Sequence, residues 1–334
     1  VHAVLSETTG MDLFTSAAII AVFTSIVVGA VTYTFLSNVF ERNLYASLGT
    51  VLIMVANLAL NIFFQAGPLA LPFVVSFLAI LFLRRPRISP EVTLIQLVLL
   101  GAAAITHLHS AMNPAFFLLG LWVLSRFRAN QRTPWSTTST LLLFSVVPLA
   151  WMMLFGPQGF TWLIKGLWLF LVDPWDVIGR LTGIFTVGQA NFGASAPQWY
   201  SLTRMLWLAL LYGTGGLLWM WRLKNISTMS RTEAALIAAF GGLGMLTLVS
   251  SLVSPRGFGE VLRGLTYAPF FTVPFLLMFV ARLPRQWSNS ILGVLAVVLV
   301  TLSFSTFLSN SRAVNIATKH PVQFAVGEWL SASV

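Results

Sequence analysis

The sequence predicts an all-α fold, a polytopic membrane helix bundle, and three observations carry this prediction. Of the 334 residues 57% are apolar and only 8% are charged, whereas a soluble domain carries about 25% charged residues. Apolar runs long enough to cross a bilayer as helices recur from one end of the chain to the other. The basic residues concentrate in alternate linkers between these runs, as they do in membrane proteins.

The apolar runs divide the chain into about ten predicted transmembrane helices. In chain order these are 13–36, 45–65, 68–83, 91–108, 112–125, 138–155, 200–221, 233–253, 265–281 and 288–308. Charged or turn-forming segments separate them, such as Glu41-Arg42 after the first, Ala66-Gly67 before the third and Arg84-Arg85-Pro86-Arg87 after it.

We expect a transmembrane helical domain over 1–309 with one large outer loop over 156–199. The loop holds an apolar stretch with Trp162, Trp168 and Trp175, which favours interfacial helices because tryptophan prefers the headgroup region. The polar segment that follows is either a mobile lid or a linker. Residues 310–334 are interpreted as the start of an outer soluble segment, and the chain is expected to be a fragment at both ends.

The linker charges predict the orientation of the chain. One set of alternate linkers carries twelve Lys and Arg against three acids, and the other set carries seven against six. The positive-inside rule places the first set in the cytoplasm and both termini outside, in the cell's inner or plasma membrane. This distribution accounts for the net charge of +10 without nucleic acid as a partner, and it leaves membrane lipid as the expected surroundings.

The stretch from Arg256 to Tyr267 is the first candidate site. Arg256, Glu260 and Arg263 are spaced by four and three residues, so a helix would place them on one face, which Tyr267 continues. Arginine forks match phosphate oxygens, and a carboxylate between them would hold them in place. The alternative is an interfacial ion cluster without a ligand.

Two further groups stand on the predicted outer side. His107 and His109 close the fourth crossing, where a histidine can bind a lipid phosphate or shuttle a proton, or simply end a helix. Asp173 and Asp176, three residues apart in the outer loop, suit a divalent cation such as Mg²⁺ or Mn²⁺, but they equally suit the start of a helix.

The order of these segments resembles a known group of proteins. Thr8-Thr9-Gly10-Met11-Asp12 leads into a long crossing, Gln65-Ala66-Gly67-Pro68 joins a hairpin, and a later crossing ends in Thr106-His107. After the last crossing comes Glu328-Trp329-Leu330, which reads like the start of an outer domain. This layout is similar to the GT-C superfamily of integral-membrane glycosyltransferases, which includes oligosaccharyltransferases, protein mannosyltransferases and lipid A aminoarabinose transferases.

The resemblance implies transfer of a sugar from a polyprenyl-phosphate-linked donor to an acceptor on the outer face. It implies that Arg256 and Arg263 clamp the lipid phosphate and that His107 contacts the phosphate or the sugar. Asp173 or Asp176 would help to bind a divalent cation if one is used, and the 156–199 loop would cover the acceptor. The family's catalytic acid lies in a first outer loop that this chain is expected to lack, so no residue is assigned as the catalyst.

Three other functions remain open at this point. An O-antigen polymerase or ligase would also be polytopic, use a polyprenyl-linked sugar and need outer arginines. A transporter or flippase for lipid-linked glycans would place charged side chains along a path at mid-membrane. A subunit without an active site fits the composition as well.

Overall fold

The computed structural model describes seven segments of the chain, together with Gly10 and single positions in 161–175 and 297–301. The segments are 13–59, 67–83, 89–127, 133–155, 213–224, 229–253 and 266–295. In these segments the chain is helical, and the short connections contain no strand. The predicted all-α fold is confirmed over this part of the chain.

The described segments contain ten helices in chain order. They are α1 Leu13–Val39, α2 Asn43–Ala59, α3 Leu71–Leu81, α4 Pro90–Thr106, α5 Leu108–Phe127, α6 Thr138–Phe155, α7 over 213–224, α8 Arg231–Val253, α9 Pro269–Arg282 and α10 over 285–295. A single 3₁₀ turn, Gly67–Ala70, leads into α3.

Local sequence signals set several helix starts. Pro90 is the first residue of α4, where its missing N–H costs nothing, and the Ser89 hydroxyl accepts the N–H of Val92 at 3.3 Å. Pro269 opens α9 in the same way. These starts lie within a few residues of the predicted ones because proline and cap residues are local signals.

The helices pack both against neighbours in the chain and against helices further along it. α1 packs against α2 and α3, α4 against α3, α5 and α6, and α9 against α2 and α8. Near the ends of α1 and α3, the Asn38 side-chain amide donates to the carbonyl of Ala79 at 3.2 Å. Both residues belong to the end of the bundle at which the basic linkers collect.

The most extensive helix contact joins α5 to α8, which are far apart in the chain. Gly120 of α5 lies against the backbone carbonyl of Ala238, and Gly242 of α8 lies against that of Phe116. A Cβ atom at either glycine would collide with the opposing main chain. Small residues therefore bring these two backbones into direct contact, as they do in membrane helix pairs.

The interior is filled by aromatic side chains, and the outside is also apolar. Phe117 meets Phe271 edge to face with 5.2 Å between ring centroids, and Phe77 meets Phe144 at 5.4 Å. Phe23 on the surface of α1 is 67% exposed. An apolar outer surface around an apolar core is expected of helices that contact lipid.

Three described helical stretches are long and apolar enough to cross a membrane, namely Ile19–Val39, Thr138–Phe155 and Arg231–Ser250. Four shorter apolar helices accompany them, namely Asn43–Ala56, Leu71–Leu81, Pro90–Thr106 and Pro269–Arg282. The chain thus has the features of a membrane protein with a helical bundle.

The structure differs from the sequence prediction around residue 107. The predicted linker 109–111 belongs to α5, which starts at Leu108, so only His107 interrupts the helical chain between α4 and α5. Its φ of −159° and ψ of 103° are extended. The two histidines, predicted to share the end of one crossing, therefore belong to a junction and to the following helix.

Candidate functional site

His107 closes α4 and opens α5 through its own main chain and side chain. Its N–H donates to Ala103 at 2.8 Å as the last bond of α4, and its carbonyl accepts the N–H of Ala111 at 3.2 Å as the first bond of α5. Its ring Nδ1 accepts the N–H of Ser110 at 3.3 Å. The imidazole therefore occupies the capping position that Ser, Asp or Asn usually fills at a helix start.

Ser110 fixes the tautomer of this histidine. Because Nδ1 accepts a backbone N–H, the neutral ring carries its hydrogen on Nε2. The Ser110 hydroxyl, 2.8 Å from the same Nδ1, is then the donor in that contact. The ring is held in one orientation by two hydrogen bonds from a single residue.

Tyr267 joins the same group from a distant part of the chain. Its side chain is hydrogen-bonded to that of Ser110, and the residue is only 2% exposed. The Ser110 hydroxyl thus lies between the His107 ring and the Tyr267 hydroxyl. This contact ties the start of α9 to the junction between α4 and α5.

Asn113 and Pro114 complete the first turns of α5. Pro114 has no N–H, so the Ser110 carbonyl lacks the bond that residue 114 would normally supply. The Asn113 amide donates to that carbonyl instead, at 3.1 Å, and the residue is fully buried. The Asn113 side chain thus satisfies the carbonyl that Pro114 leaves without its usual helical donor and keeps Ser110 in place.

This group, which we call the His107 cluster (His107, Ser110, Asn113 and Tyr267), provides hydrogen-bond donors beside a half-buried imidazole. An Nε2–H donor suits an anionic oxygen such as that of a phosphate or a sugar hydroxyl. The His107 cluster can also respond to pH, because a proton bound at Nδ1 of His107 would break both hydrogen bonds from Ser110.

The structure brings together two of the sequence-predicted site residues, His107 and Tyr267. His109 lies in α5 but its side chain is outside the described part, as are Asp176 and the segment with Arg256, Glu260 and Arg263. Asp173 is exposed. Among the described residues, no group of three or more His, Asp or Glu side chains comes close enough to hold a metal ion.

A second polar group lies at the opposite ends of the helices. Glu233, only 3% exposed, forms ion pairs with Arg222 at 3.1 Å and with Arg282 at 2.7 Å. The same carboxylate accepts the N–H of Ser230 at 3.2 Å, and the Ser230 hydroxyl accepts the N–H of Glu233 at 3.2 Å. This capping box therefore joins the ends of α7, α8 and α9.

Sequence reasoning did not single out Ser110, Asn113 or the ion-paired Glu233 as site residues. Two signals were available in the sequence. Asn113-Pro114 is a turn-type pair inside an apolar run, and Ser230 followed three residues later by Glu233 has the capping-box spacing. Neither signal indicates which distant residues these side chains contact, because those contacts depend on the fold.

Comparison of the chain with protein-family models, curated protein sequences and solved structures found no match. The functional assignment therefore rests on the residues and their geometry.

Proposed function

We propose that this protein is an integral-membrane glycosyltransferase. It moves a sugar from a polyprenyl-phosphate-linked donor to an acceptor on the outer face of the membrane. About ten helices cross the inner or plasma membrane, and both termini of this chain lie outside. The sequence resemblance to the GT-C superfamily suggests this activity, and the His107 cluster is the structural observation that supports it.

The support comes from the convergence of two residues that the sequence indicated separately. His107 and Tyr267 are 160 positions apart, yet both contact Ser110. Tyr267 follows Arg263 by four residues, a length of chain that spans at most about 14 Å. Of the two arginines proposed to clamp the phosphate, Arg263 is therefore held near Tyr267 by the length of the chain.

The proposed roles follow from the chemistry of glycosyl transfer. A hydroxyl or amide group of the acceptor attacks the anomeric carbon of the donor sugar and gives its proton to a general base. The bond from that carbon to the phosphate oxygen breaks, and its electron pair remains on the phosphate. Arg256, Arg263 and the Nε2–H of His107 stabilise the negative charge that develops there.

The positions of the charged residues favour an enzyme over a transporter. In α1 to α10 each charged side chain lies in the first or last turn of its helix. A transport path at mid-membrane would need ionisable groups in the helix centres. The buried Glu233 is no exception, because it stands in the first turn of α8.

The first test is binding of undecaprenyl phosphate to the purified chain, with undecaprenol of the same length as the matched control ligand. We expect the phosphate to bind more tightly than the alcohol. His107→Gln should remove most of this difference, because its amide cannot reproduce the ring's cap and Nε2–H donor together. Equal binding of phosphate and alcohol would contradict the proposal.

The second test is transfer itself, measured in membranes from cells that make the protein. A radiolabelled sugar on undecaprenyl phosphate is supplied, and the label that leaves the lipid is counted. Tyr267→Phe should lower the rate by roughly tenfold or more, because the loss of one buried hydrogen bond costs about 1–3 kcal/mol. Tyr45→Phe, at the other end of the bundle, is the matched control and should leave the rate unchanged.

A further inference from the structure

The second polar group is part of a larger basic surface at the ends of α7, α8, α9 and α10. We call it the basic corner and define it as Arg222, Lys224, Arg231, Arg282 and Arg285. The capping box around Glu233 holds it together, because Arg222 donates to both oxygens of the carboxylate and Arg282 pairs with one of them. The C-terminal ends of α7 and α9 are thereby held next to the start of α8.

The basic corner carries an excess of positive charge that the protein leaves unbalanced. Glu233 is its only described acid, and it pairs with Arg222 and Arg282, so the basic corner has five cations and one carboxylate. Lys224, Arg231 and Arg285 are exposed, and Arg282 keeps 51% of its side chain exposed although it binds Glu233. Like charges at adjoining helix ends repel one another unless water or an anion screens them.

Exposed tryptophans indicate where this surface lies relative to the membrane. Trp221 is 49% exposed and stacks under the Arg222 guanidinium at 5.6 Å, and Trp287 beside Arg285 is 67% exposed. Tryptophan collects at the boundary between lipid tails and headgroups. The cations of the basic corner therefore lie at headgroup level.

We propose that the basic corner binds the headgroup of an anionic phospholipid such as phosphatidylglycerol. Guanidinium forks match the two free oxygens of a phosphodiester, and the adjoining tryptophans contact glycerol and the upper acyl chains. The exposed apolar residues around the corner, such as Met220 and Leu217, favour a lipid over a nucleic acid or a soluble anion. This site is at the opposite helix ends from the His107 cluster and does not depend on the transferase proposal.

The test is a titration of the purified chain with short-chain phosphatidylglycerol, followed by its thermal unfolding midpoint. Phosphatidylcholine with the same acyl chains is the matched lipid. Phosphatidylglycerol should raise the midpoint more than phosphatidylcholine does. The triple variant Lys224→Gln, Arg231→Gln, Arg285→Gln should weaken the phosphatidylglycerol titration by about tenfold or more, because each cation near a membrane surface contributes to binding anionic lipid.

The triple variant distinguishes a loss of lipid binding from a loss of folding stability. None of the three altered residues pairs with Glu233 in the capping box, so the midpoint without lipid should stay near that of the wild type. Arg126→Gln, an exposed arginine at the end of α5, is the matched control and should keep the full phosphatidylglycerol effect. Equal effects of the two lipids, an equal loss in Arg126→Gln, or the same stabilisation by inorganic phosphate would each overturn the proposal.

Discussion

At the scale of single residues, two buried polar groups in the described part of the bundle each have several fixed partners. Glu233 has two arginines and the Ser230 backbone, and Ser110 has His107, Asn113 and Tyr267. In an apolar surrounding such a group is costly only when a partner is removed.

Glu233→Gln tests this at the ion-paired end. The amide cannot neutralise Arg222, whose side chain is only 14% exposed, so a nearly buried cation would lose its counter-charge. We expect a loss of unfolding free energy of about 3 kcal/mol, seen as a lower thermal midpoint in detergent. Glu91→Gln, an exposed acid in the first turn of α4, should change the midpoint little; an equal loss in both variants would contradict the account.

Asn113→Ala tests the buried polar group at the other end of the bundle, in the His107 cluster. It removes the donor to the Ser110 carbonyl and should cost about 1–3 kcal/mol of stability. Adding Pro114→Ala should recover part of this loss, because the new N–H of residue 114 can reach the same carbonyl. Thermal unfolding of the two variants decides the matter, and a double variant no more stable than Asn113→Ala would refute the role given to the amide.

The sequence indicated some of these residues but not their partners. His107 stood out because it lies at the end of the fourth predicted crossing, and Tyr267 because it continues the helix face of the charged residues before it. Ser110 did not, since serine is common in membrane helices and its role depends on Tyr267, 157 positions away. The charge pattern placed Arg222, Glu233 and Arg282 on one side of the membrane, but it could not show that they meet.

At the scale of the helix, local sequence signals set the boundaries, whereas the pairing of helices depends on residues far apart in the chain. Starts such as Pro90 and Pro269 were predictable because their signals are local. The sequence predicted that the fourth crossing continues to residue 108, whereas the helix ends at Thr106. A histidine that caps a helix with its ring has no recognised sequence pattern. The pairing of α5 with α8 was not predictable, since glycine spacing alone does not say which helix will approach.

Gly242→Ala tests the close contact between α5 and α8. The added methyl group would collide with the Phe116 carbonyl, and over-packing of this kind costs about 1–3 kcal/mol. Gly244→Ala lies two residues further on the same helix with nothing within 4 Å, and it should be neutral or slightly stabilising. Gly242→Ala should therefore have a lower thermal midpoint than Gly244→Ala. A Gly242→Ala protein as stable as the wild type would show that the helices do not touch there.

At the scale of the whole molecule, the described helices hold two polar groups at opposite ends. The His107 cluster lies at one end of its helices, and the basic corner lies at the other. The linker charges predicted this separation before any contact was known. They could not supply the lateral order of the helices, which depends on the shapes of the packed side chains.

The orientation of the bundle can be measured directly, because the chain has no cysteine. Single cysteines at Lys224 or Arg285 and at Lys165 report on the two sides. We expect a membrane-impermeant maleimide to label Lys165→Cys in intact cells and to label the other two only after the membrane is opened. The reverse pattern would invert the topology and place the His107 cluster in the cytoplasm.

The central claim is that a polyprenyl-linked phosphate binds at the His107 end of the bundle, and photo-crosslinking tests it most directly. The protein in lipid vesicles is mixed with an undecaprenyl phosphate analogue that carries a photoreactive group next to the phosphate, and the adducts are mapped by peptide mass spectrometry. We predict adducts close to His107 and Tyr267, reduced by an excess of unlabelled undecaprenyl phosphate but not of undecaprenol. Adducts confined to the helix ends around Glu233, or unaffected by the competitor, would contradict the account.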